Sequence, residues 1–147
     1  MQTPTSDGQH KVLLLDYTMP SQVVMFGNLA VSVEDAIPDL PEIAFSANLC
    51  LEELITNTIQ HGLSNAPDHT IRICISRSGN CLEIEVRDDA PAFDPFNSVA
   101  TPDIDASVDE RAVGGLGVHL VRTLMDEAWA TYDGTGNLIT LKKTLKQ

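Results

Sequence analysis

Apolar and polar positions alternate most strictly between residues 71 and 87. Ile71, Ile73 and Ile75 interleave with Arg72, Cys74 and Ser76, and Leu82, Ile84 and Val86 interleave with Glu83, Glu85 and Arg87. A period of two sends one face of each segment into a core, and Ser78-Gly79-Asn80 between them predicts a hairpin turn. Upstream the period lengthens. Ala44, Ala47, Leu51, Leu54, Ile55 and Thr58 share one face of a helix that starts near Pro41 and stops at Gly62. An earlier helix is predicted from Pro20-Ser21 through Val23, Phe26, Ala30, Val33 and Ile37, ended by Pro38, after a strand over residues 10–16 built on Val12-Leu13-Leu14-Leu15. Leu116, Leu120, Val121, Leu124 and Met125 define a third helix. Residues 128–132 and 138–141 flank Asp133-Gly134-Thr135-Gly136 as a second hairpin. Residues 94–113 have no period, contain Pro95 and Pro102, and read as a long functional loop.

These elements predict an α+β fold, a two-layer sandwich with helices on one face of a mixed, mainly antiparallel sheet. The chain has 147 residues, 43% of them apolar, which suits one domain with its own core. Residues 1–9 are polar and are expected to fray. No internal repeat or domain boundary is visible. No run of about 18 apolar residues reads as a membrane span. The N-terminus lacks the basic and apolar regions of a signal peptide, so a cytoplasmic location is expected. Cys50, Cys74 and Cys81 are odd in number and form no C-x-x-C, which argues against disulfide and zinc frameworks; Cys50 reads as a buried free thiol. The net charge of −12 argues against direct nucleic-acid binding. It serves solubility, or attraction to a basic partner surface.

Three places offer chemistry. Gly114-Gly115-Leu116-Gly117 runs straight into a helical pattern, and glycine amides at a helix N-terminus suit a phosphate. Glu53 and Asn57 are four apart on one helix face. Such a pair is ordinarily solvated; the sharper reading is a carboxylate base beside a neutral oxygen ligand for Mg²⁺. His61, one turn further, reads as structural. Asp88 ends a strand and is followed by an acidic turn, or else accepts a hydrogen bond from an exocyclic amine such as that of adenine. Arg111 is the only Lys or Arg between Asp88 and His119, and is the candidate phosphate clamp unless it pairs with Glu110 or Asp109. No G-x-x-x-x-G-K-[ST] is present.

In order along the chain, Glu53-x-x-x-Asn57 resembles an N box, Asp88-x-Ala90-x-x-Phe93 a first glycine box, and Gly115-x-Gly117 a second. This set resembles the histidine kinase-like (GHKL) ATPases, with the Bergerat fold shared by gyrase B, mismatch-repair ATPases and histidine kinases. The finer resemblance is to anti-sigma factor serine kinases of the RsbW type. It rests on the run from Leu51 to Gly62, on Phe93-Asp94-Pro95, and on Gly114 to Asp126, and covers nearly the whole chain as one domain. The resemblance implies Glu53 as general base, Asn57 as the Mg²⁺ ligand and Asp88 as the adenine acceptor, with Ala90 and Phe93 in its box. Residues 94–113 would form an ATP lid, Gly115 and Gly117 would meet the phosphates, and Thr140 would support the adenine site. Ala90 stands where that box has glycine. The implied function is a Mg-ATP-dependent kinase that binds a sigma factor or analogous regulator and phosphorylates a serine on an antagonist protein, with a homodimer possible in the family. The alternatives are a non-catalytic ATP-binding partner-switching module and, ranked lower, a histidine kinase catalytic domain.

Overall fold

The computed structural model describes residues 2–4, 10–22, 25–98 and 115–145. Six strands form one sheet: β1 (Gln2–Pro4), β2 (His10–Pro20), β3 (Thr70–Ser78), β4 (Cys81–Arg87), β5 (Glu127–Tyr132) and β6 (Asn137–Thr144), in the spatial order β1-β2-β3-β4-β6-β5. Among the described residues every pairing is antiparallel, so this sheet is not mixed. The reason is topological. β4 and β5 run in the same direction, as a crossover requires, but the β5–β6 hairpin slots β6 between them.

Helices α1 (Phe26–Ala36), α2 (Pro41–Asn57) and α4 (Gly115–Leu124) form the second layer; α3 (Pro95–Ser98) is a single turn. The core lies between the layers. Ile71, Ile73, Ile75, Leu82, Ile84, Ile139 and Leu141 from the sheet meet Val33, Ala47, Leu51, Leu54 and Val121 from the helices. The period-two and period-four stripes of the sequence are these two inner faces. Cys50 is a free thiol in this interior, and burial pushes its pKa up to about 11.

The N-terminal third differs from the sequence reading: Gln2–Pro4, expected to fray, instead pair antiparallel with the start of β2. Pro20 and Ser21 do not open a helix. β2 continues to Pro20, which pairs with Thr70, and α1 begins at Phe26. The strand is longer because its phase changes midway. The register steps from Leu13↔Ser76 to Leu15↔Ile75, leaving Leu14 as a bulge. Four consecutive apolar residues cannot alternate. The bulge puts Val12 on the same face as Leu15, Tyr17 and Met19, whose partners Ile75, Ile73 and Ile71 point to the core. The opposite face carries polar pairs instead, Lys11 with Glu83 at 2.8 Å and Arg72 with Asp16 at 2.6 Å. Among the described residues, no helix is long and apolar enough to cross a membrane.

Candidate nucleotide site

The candidate site follows one edge of α2. Pro41 at the first turn fixes the start of this helix, and its apolar stripe turns into the core. The edge beside the stripe carries Glu53 and Asn57. This edge is not solvated. Glu53 is half-buried and Asn57 is only 2% exposed. The carboxylate of Glu53 lies against the first turn of α4. A methyl on Gly117 would overlap Glu53 Oε2 and stand 2.8 Å from its Cδ. Glycine at 117 therefore makes room for Glu53 at a helix N-terminus, where negative charge is favoured.

One turn on, Asn57 Nδ2 is buried without a hydrogen-bond partner among the described residues. A buried unpaired amide costs about 1–3 kcal/mol. The helix then widens into a π-turn over Thr58–Gly62, with the Leu63 N–H donating to Thr58 O at 2.8 Å. Such turns recur at functional sites. This one carries the edge across to the loop after β4. The His61 ring lies 6.1 Å from that of Phe93, and a methyl on Gly62 would stand 3.4 Å from Ala90 Cβ. From Glu53 to Gly62 the strip is about 13 Å long at 1.5 Å per residue.

Asp88 closes the far end. Its N–H donates to Asn137 O at 3.1 Å, one step past the last β4–β6 pair, Arg87↔Leu138. Asp88 as a whole is 6% exposed. Its Oδ1 accepts three N–H groups: Ala90 N at 2.9 Å, Asn137 Nδ2 at 3.0 Å and Asn137 N at 3.3 Å. Among the described residues Oδ2 accepts none, so one oxygen is held and the other is not.

Two residues here were not singled out from the sequence. Gly136 read only as part of a turn, yet a Cβ on it would overlap the Asp88 carbonyl oxygen. Asn137 went unremarked and is the hub of the loop. Thr140, the expected supporter of the base, is not beside Asp88. It pairs with Glu85, so it lies on the opposite face of the sheet from Asp88 and Asn137. The signal was in the alternation: Ile139 and Leu141 face the core, hence so does Asn137, and Thr140 cannot. The turn leading into β6 is held by Asp133. The Thr135 N–H, then the Thr135 hydroxyl and Arg87, keep the Asp133 carboxyl well below the usual carboxylate range.

The long aperiodic stretch begins with an anchored turn rather than a free loop. Asp94 Oδ1 accepts the Phe96 N–H at 2.9 Å, and Arg122 of α4 donates to Phe96 O at 3.0 Å with its guanidinium 5.4 Å from the Phe96 ring centroid. Residues 99–114, and with them Arg111 and Gly114, lie outside the described residues. Gly115 is the first residue of α4. The described residues hold no group of three or more His, Cys, Asp and Glu placed to bind a metal.

The arrangement thus has a carboxylate at one end, an unpaired buried amide in the middle, and a half-used carboxylate at the other. A ligand that fits must bring oxygen atoms to the amide and a donor to Asp88.

The chain is similar to known proteins over most of its length. Residues 29–143 match the model of the histidine kinase-like ATPase domain. The chain is 25% identical to the serine-protein kinase RsbW of Listeria monocytogenes over 144 residues, covering 90% of this chain and 87% of that one. It is 27% identical to the anti-sigma F factor of Clostridium novyi over 136 residues, covering 90% and 93%. A shorter match, 34% over 89 residues, is to the serine-protein kinase RsbW of Bacillus thuringiensis, covering 58% and 54%.

Proposed function

This chain belongs to the histidine kinase-like ATPase domain family, and from that premise we propose that it is a Mg-ATP-dependent protein serine kinase of the partner-switching type. It binds a sigma factor or analogous regulator and phosphorylates a serine on an antagonist of that regulator. The observation that carries this reading is the buried Asn57 amide, one turn from Glu53, which has no partner among the described residues. A side chain with that unmet demand is relieved by a ligand rich in oxygen. ATP with Mg²⁺ fits the donor set. Asn57 would offer Oδ1 to the metal and Nδ2 to a phosphate oxygen, and Asp88 Oδ2 would accept the exocyclic amine of adenine. Bound Mg²⁺ supplies charge neutralisation at the transferring phosphoryl group.

The protein's own groups divide the remaining work. Glu53, held against α4 at Gly117, accepts the proton of the incoming serine hydroxyl. The N-terminus of α4 directs its amides and dipole at phosphate. The sequence singles out Arg111 as the clamp on the γ-phosphoryl group; it lies outside the described residues. The test is a pull-down from the native cell with and without ATP, followed by mass spectrometry. A co-purifying chain that gains a phosphoserine only with ATP supports the kinase reading. Partner capture with bound ATP and no phosphoserine supports a non-catalytic module instead.

Gly117→Ala separates folding from catalysis. Alanine is up to about 1 kcal/mol better than glycine within a helix, so thermal melting should hold steady or rise slightly. The added methyl overlaps Glu53 Oε2 and turns the base away. Phosphoryl transfer should fall on the order of 10²-fold, the scale of an ångström's misplacement. Transfer at the wild-type rate would show that Glu53 need not sit where it does.

Ala90 is tolerated for a visible reason. Among the described residues only Ser64 and Asn65 combine a side chain with positive φ, so Ala90 occupies backbone that alanine adopts without strain. Its methyl is buried beside Gly62. Titration with Mg-ATP should find Ala90→Gly within about tenfold of wild type, a change below 1.4 kcal/mol. Binding that appears only in the glycine variant would mean a degenerate site.

A further inference from the structure

We propose that Asn137 is a positioning residue that sets how strictly the base is chosen, an inference that rests on Asp88 being the adenine acceptor. Asn137 is 2% exposed, and each polar atom of its side chain is used within the loop after β4. Nδ2 donates to Asp88 Oδ1 at 3.0 Å and to Pro91 O at 3.0 Å. Oδ1 accepts the Phe93 N–H at 2.9 Å. An amide is the side chain with two donors and an acceptor at this length, so no other residue type makes all three bonds. Because these atoms are spent on the loop, Asn137 acts through Asp88 rather than on a ligand.

Asp88 alone could present either oxygen, since a carboxylate is symmetric and rotates about its Cβ–Cγ bond. Three N–H groups converge on Oδ1, two of them from Asn137. They fix the rotation and leave Oδ2 as the acceptor for a ligand. An acceptor held in place rejects a purine whose 6-position carries an oxo group, because two acceptors then face each other. An acceptor that swings away accommodates it. Asn137 also ties Pro91 and Phe93 to β6, so the packing of Phe93 on His61 follows the same anchor.

The experiment compares ATP with inosine triphosphate, which has an oxo group in place of the 6-amino group, on the full chain. Wild type should prefer ATP. Asn137→Ala should lose about tenfold of that preference, the scale of one hydrogen bond. Asn137→Asp is isosteric and sets an oxygen against Asp88 Oδ1. It should lose the preference at pH 8. Ile75→Val trims the core far from the loop, and should lower the melting temperature with the preference intact. If either Asn137 variant melts lower yet keeps the wild-type preference at pH 8, Asn137 is only a structural prop and the proposal is overturned. If wild type binds neither nucleotide, the nucleotide-site reading itself fails, and the proposal with it.

Discussion

Glu53→Gln should lower phosphoryl transfer by about 10²–10⁴-fold while Mg-ATP still binds, because with Glu53 as the proposed general base the substitution removes the base and little else. Glutamine has the same length and fits the same half-buried place against Gly117. Its amide cannot take a proton from a serine hydroxyl. Melting temperature and ATP affinity should match wild type, and the loss should appear in the rate of phosphoserine formation on the acceptor. A variant that transfers at the wild-type rate would remove Glu53 from the chemistry.

The second large effect is at the opposite end of the strip. Asp88→Asn should weaken ATP binding by about 1–3 kcal/mol, or roughly 5- to 150-fold. The direction follows from which oxygen is held. Three N–H donors require an acceptor at Oδ1, so the asparagine amide cannot flip, and its NH₂ must take the place of Oδ2. A donor then faces the donor amine of adenine. The fold should survive, because the bonds to Oδ1 remain. Calorimetric titration of the folded variant gives the answer, and unchanged affinity would exclude Asp88 from the base site.

What could be read from the sequence depended on how local the cause was. The β3–β4 hairpin was legible residue by residue. Its alternation is strict, and Gly79 adopts the positive φ of 59° that the two-residue turn requires. Helix α2 was legible from its apolar stripe and Pro41. The start of α1 was not. A proline followed by serine opens many helices, but Pro20 is also a permitted strand end, and pairing with Thr70 decides between the two. The uninterrupted run Val12 to Leu15 hid a bulge that appears only once β3 supplies the register.

The same contrast holds in the site. Glu53, Asn57 and Gly117 were visible as a motif, and the structure brings Glu53 against Gly117. Their burial was not visible, because it depends on how α4 packs on α2. For Asn137 the β6 alternation gives the face but not the partners. Its partners Asp88 and Phe93 are 49 and 44 residues away in the chain, and only the β4–β6 ladder brings them together.

The most direct test of the account is the fate of the γ-phosphoryl group. Labelled ATP with Mg²⁺ is incubated with the chain and its co-purified partners, and the label is followed over a single turnover. The account predicts that the label moves to a serine of a separate protein. Label that stays on ATP, or leaves only as inorganic phosphate, would contradict it.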